Sequence, residues 1–308
     1  MSAKLKRDRF FSSCLSGFIT LAAAAVSGCG SSEPGFLAEA DVRLTYFYTD
    51  EGGDPAYASN PHSIMQATSE DGVQFTNAKE IFSFDNLVDP DFFKISAGLY
   101  GLLVTDHTVN QLIYATSPTA DGTFTQVTTG GTRTGGQSAT YLMGSQYRVW
   151  TSGINVQDFD PTTGTLSSST ATGLALSATQ VGKTSGMLGD PTVIQLESGK
   201  YMMFMKFAES GSNAREHELW KITSNTEGTA WDTSTAEKIG MGSVPGAVRV
   251  GSEILVYYVT FETSLNEHKS LAVLRSTDGG VTFESSAVFL DGEVISGAYD
   301  PTAIALGD

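Results

Sequence analysis

Cysteine is nearly absent from this chain of 308 residues, which contains only two. Cys14 falls in an N-terminal segment that we expect to be removed, so Cys29 would be the only thiol left and no disulfide forms within one chain. The sequence also has no Cys/His zinc pattern, no glycine-rich phosphate loop and no nucleophile elbow. We therefore expect a core stabilised by packing alone and no cofactor, with a structural divalent cation left open.

Positive charge is scarce as well. Eighteen lysines and arginines stand against 34 aspartates and glutamates, which gives a formal net charge of −16. A chain this acidic is not expected to bind nucleic acid or an anionic lipid surface, because both partners are themselves negative. The same charge is typical of a solvated, secreted domain, so it excludes partners better than it names one.

Long apolar runs are missing apart from residues 18–26, which are too few to span a bilayer. A basic head precedes that run, formed by Lys4, Lys6, Arg7 and Arg9. The run ends in Val-Ser-Gly directly before Cys29, which resembles a bacterial lipobox. The resemblance implies that residues 1–28 are a lipoprotein signal peptide and that Cys29 is acylated. An ordinary signal peptide with a chance cysteine is the alternative.

The segment after the cysteine indicates where the chain is anchored. Gly30 stands where an aspartate would retain such a lipoprotein at the inner membrane, so the expected location is the bacterial cell envelope, at the outer membrane. Residues 29–40 then form a lipidated tether, and residues 41–308 form the folded domain. We expect a monomer that contacts the membrane only through its lipid anchor.

A short pattern recurs along the folded domain: a strand that ends near Thr-Ser, an acidic-Gly turn and then an aromatic residue. The copies span residues 64–75, 112–124, 219–231 and 271–283, with a degenerate version at 156–166. An apolar hairpin accompanies each copy, so each unit is predicted to contain four strands. Outside the signal segment, no stretch shows a convincing helical period.

The last copy resembles a known turn motif. Residues 276–283 match the Asp-box, S-x-D-x-G-x-T-W, with Phe283 in place of tryptophan. In such a turn Asp278 accepts hydrogen bonds from the turn backbone, and a glycine supplies the positive φ. Asp-boxes are found in sialidases and other propellers, far from the active face. We therefore interpret Asp278, Asp121 and Asp71 as structural.

Asp-Pro marks the mouths of three apolar strands, at Asp89, Asp190 and Asp300. Proline has no N–H to give to a ladder and belongs at the first residue of a strand. The chain begins in mid-repeat and ends with the missing strand, residues 300–306, which a β-sandwich would not predict. We predict an all-β fold, a five-bladed β-propeller with four-stranded blades, whose ring is closed by the C-terminal strand joining the N-terminal blade. The three carboxylates would then point into one central funnel.

Asp-Pro at the strand mouths of a five-bladed propeller resembles the clan of arabinan- and xylan-cleaving glycosidases (family 43) and invertase-like enzymes (family 32). The resemblance implies that Asp89 is the catalytic base or nucleophile and that Asp190 orients the substrate and tunes pKa. It covers nearly the whole folded domain, but it lies in the repeat pattern and not in a diagnostic motif.

The sequence departs from that clan in two places. Residues 242–246 contain no carboxylate where the clan places its general acid, a glutamate, and Gly189 stands where invertase-like enzymes have arginine. The best replacement acids are Glu209 and Glu262, in loops that are expected to open on the same face. The alternative is that both are solvated loop charges.

Further residues near this face are candidates for substrate binding. They are Asp300, His62, His107, His217, His268 and Trp150. The histidines would converge on a metal or bind sugar hydroxyls, but we prefer hydrogen bonding to backbone at equivalent repeat positions, and no metal ligand is assigned. Trp150 would stack on a sugar ring or fill the core between blades. The strand-mouth carboxylates have a comparable alternative, which is to cap turn amides around the ring.

The sequence leads to one hypothesis and two rivals. The hypothesis is a cell-envelope lipoprotein whose glycosidase-like propeller binds glycans in its funnel, and hydrolyses them if a loop glutamate supplies the acid. The first rival is a non-catalytic carbohydrate-binding or scaffolding surface lipoprotein that has lost the acid. The second is an envelope assembly factor that uses the propeller rim. Whether the protein is an enzyme is left open.

Overall fold

The structure is a computed structural model, and it describes residues 41–48, 61–106, 108–109, 111–132, 137–170, 172–213, 216–261, 268–295 and 297–306. The predicted signal peptide, the tether and Cys29 lie outside the described residues. Within those ranges, no helix combines the length and the apolar character that crossing a membrane requires.

The described chain consists mainly of strands. In chain order they are β1 (Asp41–Tyr48), β2 (Pro61–Ser69), β3 (Gln74–Asp85), β4 (Leu87–Ser96), β5 (Leu99–Asp106), β6 (Gln111–Ser117), β7 (Thr125–Thr132), β8 (Ala139–Met143), β9 (Gln146–Thr151), β10 (Asn155–Asp160), β11 (Thr165–Thr170), β12 (Met187–Gln195), β13 (Tyr201–Ala208), β14 (Glu218–Ser224), β15 (Trp231–Met241), β16 (Ser243–Val250), β17 (Glu253–Phe261), β18 (His268–Ser276), β19 (Glu284–Ala287), β20 (Phe289–Leu290), β21 (Glu293–Val294) and β22 (Ala298–Leu306). Two short 3₁₀ helices, Thr172–Leu174 and Ala178–Val181, lie between β11 and β12.

The strands form five antiparallel sheets, each the blade of a propeller. Blade 1 is β4 to β7, blade 2 is β8 to β11, blade 3 is β12 to β15 and blade 4 is β16 to β19, while blade 5 has the order β22-β1-β2-β3. The innermost strands contact one another in the cyclic order β4, β8, β12, β16, β22 and back to β4. The predicted fold, a five-bladed propeller with four strands in each blade, is confirmed.

Blade 5 closes the ring because it combines both ends of the described chain. Leu44 in β1 pairs with Ala303 in β22 in antiparallel register, so the C-terminal strand joins the N-terminal blade, as the sequence predicts. A second contact reinforces the closure: the β20–β21 hairpin, which follows blade 4, adds to the outer edge of blade 5 where Phe289 pairs with Gln74 in β3. An edge that would otherwise be open for pairing is thereby covered.

The hydrophobic core lies between neighbouring blades. At the junction of blades 4 and 5, Leu44 and Tyr257 are both 0% exposed, and the rings of Phe75 and Tyr257 meet edge to face at 5.8 Å. The hydroxyl group of Tyr257 donates to the carbonyl of Gly72 at 2.8 Å, so its polar end is satisfied although the ring is buried. Each sheet is therefore covered on both faces by the blades beside it.

In the outer turns, carboxylates accept hydrogen bonds from the N–H groups of the turn backbone. Asp278 accepts hydrogen bonds from the backbone of Val281 and Thr282 and from the hydroxyl of Ser276, at 2.8–2.9 Å. Bonds from the side chain and then the backbone of Thr282 hold the pKa of this carboxyl below its usual range. Asp71 accepts the backbone N–H groups of Val73 and Gln74 in the same way, whereas Asp121 forms an exposed ion pair with a lysine.

Closure of the ring depends on a glycine. A Cβ added at Gly246 in β16 would lie 2.0 Å from the carbonyl oxygen of Pro301 in β22. We expect Gly246→Ala to lower the free energy of unfolding by about 1–3 kcal/mol, because the obstructing atom belongs to the backbone. The measurement is urea denaturation.

The matched control is Gly240→Ala in β15, where the nearest atom to an added Cβ is a leucine methyl at 3.6 Å and no such loss is expected. Equal stability of the two variants would show that the approach of β16 to β22 does not constrain the ring.

Candidate functional site

Five equivalent residues stand where the inner strands enter the ring, and we call these the mouth positions. They are Asp89, Gln137, Asp190, Val244 and Asp300, in blades 1 to 5. Gln137 belongs to the set by strand register. Leu142, five residues after Gln137, pairs with a tyrosine near the start of the second strand of its blade. Gln195, five residues after Asp190, pairs in the same way in blade 3. The mouth positions therefore form one layer around the axis.

Four of the mouth positions share an unusual backbone. Asp89, Asp190, Val244 and Asp300 all have left-handed φ angles, between 47° and 53°, and each is followed by proline. The strand register shifts across this step in blades 1, 3 and 4, which is the signature of a bulge. A non-glycine residue in this conformation costs about 1–3 kcal/mol, and such strain persists where surrounding contacts enforce it, often at functional sites.

The strand-mouth carboxylates surround a largely buried lysine that the sequence analysis did not identify. Lys206 in β13 lies opposite Gly189 in the strand register, and its ammonium group forms an ion pair with Asp190, whose side chain is 2% exposed. Burial lowers the pKa of Lys206, but the charge and hydrogen bond of Asp190, followed by the charges of Asp300 and Asp89, raise it further, so the net pKa is raised. The ammonium group is therefore held charged among three carboxylates.

The carboxylates are also bound to the backbone of the ring. The backbone N–H of Asp89 donates to Oδ2 of Asp300 at 3.3 Å, which joins blade 1 to blade 5. Oδ1 of Asp190 accepts from the backbone N–H of Gln137 at 2.9 Å and from the hydroxyl of Ser152 at 3.3 Å. The structure thus brings Asp89, Asp190 and Asp300 together at one end of the channel, and each also links neighbouring blades or strands.

Gln137 closes the channel beneath these carboxylates. Its side-chain amide donates to the carbonyls of Pro90 in blade 1 and Pro301 in blade 5, at 3.0 and 3.1 Å. Blade 2 does not adjoin blade 5, so this side chain crosses the central axis. The residue is only 2% exposed. The Gln137 amide therefore fills part of the channel beside the strand-mouth carboxylates.

The fourth-blade mouth position has no acid. Val244 occupies it and is 6% exposed, packed in the core between blades 4 and 5. Glu209, one predicted replacement, is exposed just beyond β13, where its backbone carbonyl accepts from Ser212 at 2.9 Å. Glu262, the other, lies outside the described residues. Both remain predictions as far as catalysis is concerned.

The structure describes only some of the four predicted histidines. His107 and the side chains of His62 and His268 lie outside what the structure describes, although His62 lies in β2 and His268 begins β18. His217 directly precedes β14, with Nδ1 3.3 Å from the hydroxyl of Ser243. His62, His217 and His268 therefore stand at the start of the third strand of their blades. Among the described residues, no three His, Cys, Asp or Glu side chains are grouped so as to hold a metal ion.

Trp150 is a correction to the sequence analysis. Its side chain is 0% exposed in the core between blades 2 and 3, and its indole N–H donates to the carbonyl of Leu174 at 3.2 Å. Trp231 donates to the same carbonyl at 2.9 Å. With no exposed ring face, Trp150 has no surface on which a sugar can stack.

Lys206 and Gln137 are the residues that the sequence analysis missed. Lys206 is the single charged residue in the apolar run of β13, and a lone lysine in a buried strand indicates a buried partner. Gln137 gave no comparable signal, because it is followed by serine, whereas each of the other four mouth positions is followed by proline.

Solved structures show the same fold at low sequence identity. An α-L-arabinofuranosidase of Clostridium thermocellum has a TM-score of 0.53 at 12% identity, covering 84% of this chain and 95% of that one. An α-L-arabinanase of Cellvibrio cellulosa, solved in complex with arabinohexaose, has a TM-score of 0.53 at 11% identity, covering 78% and 94%. A protein described as a glycoside hydrolase has a TM-score of 0.55 at 12% identity; the match covers 86% of this chain but only 65% of that protein.

These likenesses confirm, at the level of the fold, the predicted resemblance to the family 43 propellers. A scan against models of protein families and a search of curated protein sequences both find no match.

We expect that loss of the Lys206–Asp190 ion pair strongly lowers the free energy of unfolding. We expect Lys206→Met to cost about 3–5 kcal/mol in unfolding free energy, because it leaves a buried carboxylate without its cation. Adding Asp190→Asn to that variant should recover part of the loss, since the charge itself is then gone. Urea denaturation of the two variants tests this.

Lys238→Met is the matched control, since Lys238 forms a 3.0 Å ion pair while its side chain is 42% exposed. Its loss should cost no more than about 1 kcal/mol. A Lys206→Met variant as stable as Lys238→Met would contradict the assignment of a buried, charged pair.

Proposed function

We propose that this protein binds a glycan at the face that carries Asp89, Asp190 and Asp300, and that it does so without hydrolysing it. The observation that carries the proposal is the composition of the mouth positions: three carboxylates gathered around Lys206, with Val244 where the clan has its acid. Ionised carboxylates accept hydrogen bonds from sugar hydroxyls. Asp89 is half-buried, so part of this residue is accessible at the face.

Hydrolysis of a glycosidic bond needs a protonated acid as well as a base. Val244 has no proton to give. Lys206 is a poor general acid near neutral pH because its pKa is raised further by the surrounding carboxylates. Asp190 is engaged by that same lysine. These features favour binding over catalysis.

Arabinan oligosaccharides are the first ligands to examine. The Cellvibrio cellulosa arabinanase, which shares the fold, was solved with arabinohexaose. The hydroxyl groups of a sugar can donate hydrogen bonds to the carboxylates that this face gathers around Lys206. We therefore assign the site to neutral oligosaccharides, whose hydroxyls donate to its carboxylates without charge repulsion.

The test combines binding and turnover on one panel of arabino-, xylo- and fructo-oligosaccharides and sialosides. We expect calorimetric binding of at least one neutral oligosaccharide, no released sugar, and about tenfold weaker binding by Asp89→Asn, the loss expected for one charged hydrogen bond. Glu284→Gln, an exposed carboxylate in β19, is the control and should bind normally. Sugar release that Asp89→Asn, Glu209→Gln or Glu262→Gln abolishes would establish a hydrolase instead.

We further propose that the domain is held at the bacterial cell envelope by acylation of Cys29. The support is the sequence alone: a basic head, a short apolar run and small residues before the cysteine. Two or three acyl chains anchor a protein stably, whereas a single chain does not.

Expression with a fatty-acid label should show incorporation that Cys29→Ala abolishes, with the variant leaving the membrane fraction. Cys14→Ala is the control, because that cysteine would leave with the signal, and it should label normally. Labelling of Cys29→Ala, or a soluble wild-type protein, would contradict the anchor.

A further inference from the structure

A cavity lies in the central channel, on the far side of the Gln137 amide from the strand-mouth carboxylates. Its volume is about 390 Å³, and the inner strands of all five blades line it. The lining begins two or three residues after the mouth positions and continues to the fifth residue. This volume is within the range of small-molecule sites.

The inner end of the cavity contains two buried polar groups with unmet hydrogen-bonding capacity. Asp91 and Thr140 line the cavity and are each 6% exposed. Asp91 Oδ2 and Thr140 Oγ1 make no hydrogen bond of ordinary geometry within the described chain. Burial raises the pKa of Asp91 to about 7, and the nearby hydroxyl and amide of Thr140 offset that only in part. A buried carboxyl of this kind is stabilised by a ligand that brings a positive charge.

The outer end has the opposite charge. The fifth residues after the mouth positions form its rim, and they are Lys94, Leu142, Gln195, Arg249 and Ala305. Two of the five are cationic and none is acidic. Arg249 lies 3.9 Å from Glu197, but that carboxylate is 66% exposed, and a surface pair of this kind contributes little. The rim therefore favours an anionic group.

The spacing of the two ends sets the size of a ligand. Lys94 lies three positions after Asp91 in β4, which corresponds to about 10 Å at the rise of a β-strand. Calcium and magnesium ions are a poor fit to the inner end, because Asp91 is the only carboxylate among the lining residues and these ions take six or more oxygen ligands. An ammonium group needs only one carboxylate and a hydroxyl.

We propose that this cavity binds a small zwitterion, with its ammonium group against Asp91 and Thr140 and its carboxylate at the Lys94–Arg249 rim. The site is distinct from the glycan face, because the Gln137 amide lies between them. It does not depend on the glycan proposal, since none of its lining residues is a mouth position.

The probe is 6-aminohexanoate, whose two charged ends are separated by a chain of suitable length. Hexanoate lacks the ammonium group and hexylamine lacks the carboxylate, so each removes one half of the proposed recognition. We expect calorimetry and ligand-observed NMR to detect 6-aminohexanoate binding to the intact folded protein. Each single-charge analogue should bind at least tenfold more weakly.

Three variants locate the binding. Asp91→Asn keeps the side-chain volume and should weaken 6-aminohexanoate binding at least tenfold, and Arg249→Gln should weaken it severalfold. Leu142→Trp adds bulk at a rim residue that is 42% exposed, so it should obstruct the cavity without disturbing the core. Lys200→Gln removes a charge from the β12–β13 turn, away from the cavity lining, and should bind like the wild type.

The outcomes are decisive in both directions. Loss of binding in Leu142→Trp with unchanged circular dichroism supports the site even if Asp91→Asn folds poorly. Hexanoate and galacturonate are carboxylates without an ammonium group. If either bound as tightly as 6-aminohexanoate, the assignment of an ammonium ligand at Asp91 would be overturned. Absence of 6-aminohexanoate binding at millimolar concentration, or binding that neither Asp91→Asn nor Leu142→Trp alters, would overturn the proposal.

Discussion

The burial of each blade between its two neighbours is the constraint on which the rest of this structure depends. A four-stranded sheet with apolar side chains on both faces cannot bury them alone, and a ring is the arrangement that gives every sheet two neighbours. The ring closes when β22 pairs with β1, and the β20–β21 hairpin covers the outer edge of the same blade. Without that closure, the mouth positions would not share one layer.

Closure also explains why charged groups are tolerated at the centre. Asp190 and Asp300 are buried and the Lys206 side chain is only 15% exposed, which is costly for ions unless they are paired and hydrogen-bonded. Here each partner comes from a different strand: Asp190 bonds to Gln137 of blade 2, and Asp300 to the backbone of Asp89 in blade 1. The polar layer therefore joins the blades at the axis, while the apolar core joins them further out. One network supports both the fold and the proposed binding face.

Much of the architecture was predictable because propellers repeat. The period of the turns, the Asp-Pro pairs and the split fifth blade all follow from local chemistry, and the structure has the blades that they predict. Trp150 shows the limit of that reasoning. Its position near a strand end suits either a stacking platform or a core residue, and only the packing of blade 3 against blade 2 decides that it is core. Lys206 and Gln137 were missed because their partners are distant in sequence.

The sequence by itself determined the number of blades, the order of the strands and the residues at three strand mouths, because proline, glycine and alternating apolar residues act over a few positions. Only the tertiary structure decided which side chains contact the residues at those strand mouths. It set Lys206 against Asp190, carried the Gln137 amide across the axis and left Asp91 facing a cavity. Such contacts join residues from separate blades, and their geometry exists only once the ring has closed.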